Sequence, residues 1–206
     1  MTADPKRLRG PREEGPLAAL PSYARRGMAD ARDEATLVRG AQAGSAADLE
    51  RLFRAHWPRA YRAAYLVVHD VGAAEDIAQE AFLAAIRALG RFDRRRPFGP
   101  WLHRIVVNRA IDWARARSLR REVGDDGVDL ADPAPLGSRG APYSAPIVAA
   151  LASLPPEQRA VVVLRHLLEY TPGEIARLLD LPRGTVNSRL RRGLDELAAR
   201  LPEEGR

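Results

Sequence analysis

The chain of 206 residues carries 33 Lys and Arg against 27 Asp and Glu, a formal net charge of +6, and no cysteine. Lack of cysteine excludes a disulfide scaffold, a thiolate nucleophile and any Cys-ligated zinc or iron–sulfur site. The 46% apolar share is enough for a core, but no run approaches the ~18 apolar residues of a membrane span and no signal-peptide stretch opens the chain. The expectation is a soluble cytoplasmic protein with no membrane insertion of its own.

Residues 1–32 hold Pro5, Pro11, Pro16 and Pro21 without sustained periodicity and read as a disordered tail. From 33 to 121 helical patterns run almost without a break. Ser45 followed by Asp48 resembles a capping box, opening a helix through Leu49, Leu52 and Phe53. Pro58 is expected to interrupt it, with Arg59 to Val68 resuming. A third helix spans about Ala73 to Leu89, its core stripe Ile77, Ala81, Ala84 and Ala88 widened by Phe82, Ala85 and Leu89. The opposite stripe carries Asp76, Glu80, Leu83 and Arg87, with Gln79 beside it. Pro97, Gly99 and Pro100 break the pattern, and a fourth helix runs from Trp101 to about Arg117, burying Leu102, Ile105, Val106, Ala110 and Trp113.

Basic charge concentrates here. Lys6 is the only lysine of the chain, and between Arg91 and Arg121 ten arginines face only Asp93 and Asp112, a local net charge of +8. Phe92, Phe98, Trp101 and Trp113 are interleaved with them. Guanidinium groups that hold a backbone, beside aromatics that can stack a splayed base, suit single-stranded nucleic acid. The plainer alternative is a solvated basic helix with core aromatics, the preferred reading for Trp113. For Arg94, Arg95 and Arg96, self-repulsion favours an anionic partner.

Residues 122–146 are rich in Asp, Pro and Gly and read as a flexible acidic linker. Helical periodicity returns over 147–206. Pro156 starts one helix, and Thr171-Pro172-Gly173-Glu174 forms a capping box that starts a short second one. After the turn Asp180-Leu181, Pro182 starts a third, with Val186, Leu190, Leu194 and Leu197 as its buried stripe. A short helix, a tight turn and a second helix make a helix-turn-helix. Its outward face offers Arg183, Asn187, Ser188, Arg191 and Arg192, of which arginine can pair with guanine and asparagine with adenine. A structural hairpin with a basic rim is the alternative. No segment alternates with period two. The expected fold is all-α, with two small helical domains joined by the linker.

Two other classes compete. An isolated helix-turn-helix repressor would account for the second part but not for the acidic stripe or the aromatic–arginine loop. An enzyme would need a constellation that His56, His69, His103 and His166 do not form: the chain has no His-Glu-x-x-His, no Gly-x-Ser-x-Gly and no P-loop. Neither metal nor cofactor is expected.

The ordered motifs carry a resemblance. Asp76-x-x-Gln79-Glu80-x-Phe82, Phe98-x-x-Trp101-Leu102-x-x-Ile105-x-x-Asn108-x-x-x-Asp112, Leu154-Pro155, Glu174-Ile175-Ala176 and Gly184-Thr185-Val186-x-Ser188-Arg189-Leu190 are similar to a bacterial RNA polymerase sigma factor. The likeness is to the small extracytoplasmic-function (ECF) group of the sigma-70 family. It implies that Asp76, Gln79, Glu80, Phe82 and Ile86 dock on core RNA polymerase. It implies that Phe92, Arg94, Arg95, Arg96, Trp101, Arg104, Asn108 and Arg115 melt and capture the minus-ten element of promoter DNA. By the same likeness Arg183, Thr185, Asn187, Ser188, Arg189, Arg191 and Arg192 read the minus-thirty-five duplex. The acidic linker would thread toward the RNA exit path, and an anti-sigma factor would be a further partner. Asp180 stands where such turns often carry glycine, and Asn187 where many relatives carry a basic residue.

Overall fold

A computed structural model describes residues 31–122 and 145–201. The tail, from residue 1 to residue 30, and the acidic stretch 123–144 lie outside the described residues. Among those described there are eight α-helices and no strand: α1 (Ala31–Gln42), α2 (Ala46–Val68), α3 (Val71–Ala88), α4 (Phe98–Glu122), α5 (Ala145–Ser153), α6 (Pro156–His166), α7 (Pro172–Leu179) and α8 (Arg183–Arg200). No helix among them is long and apolar enough to cross a membrane.

The helix starts follow local chemistry. Ser45 caps α2, its side chain accepting from the Asp48 N–H, and Asp70 caps α3 by accepting from the Ala73 N–H. Each satisfies a donor that has no partner within the helix. Pro58 does not interrupt α2, which runs through it without a break. A proline deletes one backbone hydrogen bond, but Pro58 lies on the exposed side while Leu52, Ala60 and the run Ala63–Val68 are buried. Packing on both sides of the proline keeps the two halves one helix.

On α3 the buried face is Ala74, Ile77, Ala78, Ala81, Phe82 and Ala85, the i, i+3, i+4 recurrence of a packed helix. Ala84 and Ala88, expected in this stripe, are only half-buried at its edge. Helix α4 begins three residues earlier than the sequence suggests, at Phe98. It buries Leu102, Val106, Val107, Ala110, Ile111 and Ala114, with Ile105 and Trp113 half-buried.

In the second part, Thr171 and Glu174 form both halves of the capping box and Pro172 sits in the first turn of α7. Asp180 closes α7 in the left-handed conformation, φ 56°, which aspartate adopts more readily than most residues. Helix α8 packs closely on α6 at Gly193, where a Cβ would stand 3.0 Å from Val162 Cγ2.

The two helical parts also pack on each other, which no pattern in the sequence foreshadows. Arg159 of α6 is 8% exposed and donates to the carbonyls of Leu151 (2.8 Å), Ala152 (2.7 Å) and Leu154 (2.7 Å). It also donates to the carbonyl of Val67, at the end of α2. Its charge thus lies at the carboxyl ends of α5 and α2, where the helix dipoles favour a cation. His103 Nδ1 of α4 lies 2.8 Å from the Tyr170 hydroxyl, and Arg115 donates to Glu157 at 2.6 Å.

Candidate nucleic-acid and docking surfaces

The outer side of α3 combines acid with exposed apolar surface. Asp76, Gln79 and Glu80 are exposed; Gln79 donates to Glu75 at 3.2 Å, and Glu80 stands 3.6 Å from Arg109 of α4. Leu83 and Ile86 are 51% and 42% exposed, and Phe53 of α2 is 39% exposed. Between α2 and α3 lies a cleft of about 260 Å³ lined by Leu49, Phe53, Phe82, Ala85, Ile86 and Leu89. Phe82 is buried and forms its wall, so of the residues expected to dock, Phe82 lies beneath the surface, whereas Ile86 reaches it. A contiguous apolar patch rimmed by charge is what a protein partner covers. Leu83 joins this surface from the outward stripe where the sequence puts it, whereas Phe53 joins it unexpectedly: the helical pattern puts Phe53 on a stripe but does not say which side of α2 faces out.

The arginine loop between α3 and α4 stands on an aromatic base. A 3-10 turn, Leu89–Arg91, leads into it. Phe92 and Phe98 are buried, with ring centroids 5.9 Å apart, and both pack on Trp101, at 4.6 and 5.6 Å. Phe92 therefore supports the loop from beneath instead of offering a free face to a base. Trp101 is half-buried, and Arg94, Arg95 and Arg96 are exposed above the cluster. The Asp93 carboxylate accepts from the Arg95 backbone N–H at 3.0 Å and from its Nε at 3.1 Å. These bonds hold the Asp93 carboxyl below the usual carboxylate range.

Helical spacing aligns Trp101, Arg104, Asn108 and Arg115 in one stripe of α4. Arg104 and Arg115 are exposed and Asn108 is half-buried. The stripe is continuous with the loop but its far end is engaged, since Arg115 reaches Glu157 of α6. Farther along, Arg117 lies 5.0 Å over the Trp113 ring and bonds Asp70 at 2.9 Å. Burial pushes the Asp70 carboxyl up, but the Ala73 N–H and Arg117 outweigh it and leave it lowered. Trp113 is thus a support for α4, the plainer of its two expected roles.

Helix α8 shows a separate basic face. Arg183, Asn187, Arg191 and Arg192 are exposed; Thr185, Ser188 and Arg189 are half-buried. Val186, Leu190, Gly193 and Leu197 turn the opposite side inward. The Ser188 hydroxyl donates to the Thr185 carbonyl at 2.9 Å, so it is partly occupied by its own helix. Asp195 and Glu196 follow in the sequence, confining the basic surface to the first turns, the end that enters a major groove in helix-turn-helix proteins. Among the described residues no group of three or more His, Cys, Asp or Glu is placed to hold a metal.

Comparisons with known proteins place the chain in a family. The family description Sigma-70 region 2 matches residues 52–120, and Sigma-70, region 4 matches residues 144–197. The chain is 36% identical to the ECF RNA polymerase sigma factor SigM of Mycobacterium tuberculosis over 81% of this chain and 84% of the relative. It is 34% identical to the ECF RNA polymerase sigma factor SigW of Bacillus subtilis, over 68% and 82% respectively. The solved structure of CnrH in complex with the cytosolic domain of CnrY shares the fold, with TM-score 0.62, 26% identity, and coverage of 84% of this chain and 99% of that one. The chain belongs to the ECF sigma factors of the sigma-70 family, non-enzymatic proteins that direct promoter-specific transcription with RNA polymerase.

Proposed function

We propose that the protein reads the minus-ten element as melted DNA through the arginine loop and α4, and the minus-thirty-five element as duplex through α8, while α3 holds core RNA polymerase. In this reading a first domain at 33–121 and a second at 147–206 flank a linker at 122–146, although α1 starts at Ala31, Glu122 still belongs to α4 and α5 starts at Ala145. The observation that carries the reading is the separation of two unlike basic surfaces. One sets three exposed arginines over an aromatic base with Trp101 half open, the composition of a single-strand site. The other is a helix with exposed Asn187, Arg191 and Arg192, the composition of a duplex reader. The working compartment is the cytoplasm, where polymerase and promoter lie. An anti-sigma factor is a further partner in this reading, supported by the CnrH–CnrY complex.

The two elements lie about 25 base pairs apart, about 85 Å at about 3.4 Å per pair. A compact chain of this length spans only about 45 Å. The contacts of Arg159, His103 and Arg115 across the two parts must therefore release when both elements are bound.

Replacing Arg94, Arg95 and Arg96 together by glutamine tests the single-strand surface. Promoter opening on a duplex template should slow, and its dependence on salt should become shallower because fewer phosphate counterions are released. Permanganate reactivity of unpaired thymines follows the opening; unchanged opening and salt slope would refute the assignment. For the duplex surface, Arg192→Ala should weaken the preferred upstream sequence by about 1–3 kcal/mol and relax preference at one position. Competition binding across single-base variants reads this, and equal weakening on every sequence would make Arg192 a phosphate clamp instead.

A further inference from the structure

Both ends of the arginine loop are fastened to the same helix, α1, far away in sequence. Gln42 Nε2 spans the 3-10 turn, donating to the carbonyl of Leu89 at its start (2.8 Å) and of Phe92 just past its end (3.0 Å). Where α4 begins, the Glu34 carboxylate accepts from the Phe98 N–H at 2.7 Å. Helix ends leave carbonyls at one terminus and N–H groups at the other without partners. Here Gln42 serves the carbonyl side, where the Leu89 carbonyl also accepts from the Phe92 N–H at 3.0 Å, and Glu34 serves the N–H side.

Glu34 is itself held. His56 Nε2 of α2 lies 3.1 Å from its second oxygen, and both side chains are largely buried, His56 at 13% and Glu34 at 19% exposure. Burial pushes the Glu34 carboxyl up, yet the His56 and Phe98 hydrogen bonds overcome it and keep it lowered, so it stays an acceptor. The His56 ring packs 5.2 Å from the Phe98 ring. It comes so near the α4 backbone that a Cβ on Gly99 would stand 3.2 Å from its Cε1. Glycine at this position lets the ring close over the start of α4.

We propose that α1 is the positioning element of the promoter-melting loop, with Gln42 and Glu34 as positioning residues that clamp its two ends and so fix where Arg94, Arg95 and Arg96 stand relative to Trp101. The inference rests on the reading of this loop as the minus-ten surface. Within the loop Asp93 braces Arg95, but that brace does not tie the loop to the rest of the domain, so its placement depends on what holds its ends: the packing of Phe92 and Phe98 on Trp101 and the hydrogen bonds from α1. Arginines held at a set distance from the half-open tryptophan meet the backbone and the splayed base together, and a loop released at one end must be ordered anew at each encounter.

The test compares Gln42→Ala, Glu34→Ala and Glu34→Gln with the parent chain and with the Arg94, Arg95 and Arg96 triple glutamine variant. Each is assembled with core RNA polymerase on a duplex promoter and on the same promoter with a pre-melted bubble. Each alanine variant should slow duplex opening on the order of tenfold, the scale of a misplaced binding group. Polymerase capture and transcription from the bubble should remain near the parent's, and the melting temperature should fall by no more than a few degrees, the scale of a lost helix cap. Glu34→Gln keeps an oxygen for the Phe98 N–H and should recover most of the opening rate. Wild-type opening by both alanine variants, with the triple variant slow, would overturn the positioning role and leave the loop assignment standing. Normal opening by the triple variant as well would overturn both. Equal losses on duplex and bubble, with a melting temperature lowered beyond a few degrees, would show α1 to be merely structural and also overturn the proposal.

Discussion

Asp76→Lys combined with Glu80→Lys is expected to keep helicity and melting temperature and to abolish binding of core RNA polymerase. Both carboxylates are exposed on the outer side of α3, beside the surface formed by Phe53, Leu83 and Ile86. Within the chain the double change breaks the 3.6 Å pair of Glu80 with Arg109, whose side chains are 65% and 39% exposed. Such a pair is worth about 0–1 kcal/mol. Against a partner, two reversed charges become repulsive and can cost several kcal/mol. Circular dichroism and a polymerase pull-down separate the two effects. Normal capture by the double variant would move the docking surface elsewhere.

Arg159→Met is expected to loosen the packing between the two helical parts and to destabilise the chain by about 2–5 kcal/mol. The methionine fills part of the space but leaves the carbonyls of Val67, Leu151, Ala152 and Leu154 without the donor they now share. At about 2–4 °C per kcal/mol for a chain of this size, the melting temperature should fall by roughly 5–20 °C. Arg159→Lys should not restore it, since an ammonium cannot present the guanidinium's planar set of donors.

The same interface should weaken in acid. Burial, with the charges of His56 and Arg59, pushes His103 down to about 3; Glu34 opposes this. His69, at the end of α2, is held at about 3 by burial and by the nearby Arg159. A histidine whose pKa is depressed by packing favours the packed form fully above its ordinary value of 6.5. That contribution is lost as pH falls from about 6.5 toward 3. A distance label on α3 and another on α8 should therefore report separation increasing below pH 6.5, and His103→Phe should flatten the response. A separation independent of pH would contradict it.

Local chemistry is legible in the sequence where it acts within one turn. Ser45 and Thr171 announce α2 and α7 because a capping side chain meets backbone only three residues ahead. Asp180 can be read as a turn residue for the same reason. Pro58 misleads because its cost is local while the packing that outweighs it lies along the whole of α2. From Arg91 into α4 the aromatic–arginine composition is plain, but whether Phe92 faces a base or the core depends on Phe98 and Trp101 folding over it. Arg159 gives no signal, being one arginine among many until α2 and α5 bring their carbonyls to it. Gln42 and Glu34 are silent as well. Their partners at the ends of the loop lie 47 to 64 residues away, and no periodicity encodes a hydrogen bond across that distance.

Run-off transcription with purified core RNA polymerase tests the central claim most directly, with transcript starts sequenced from a genomic fragment library. This protein alone should confer initiation at a defined set of starts sharing one upstream duplex element and one element that becomes permanganate-reactive. Failure to bind core polymerase or to select any start, together with a footprint of the protein by itself on a palindrome, would contradict it.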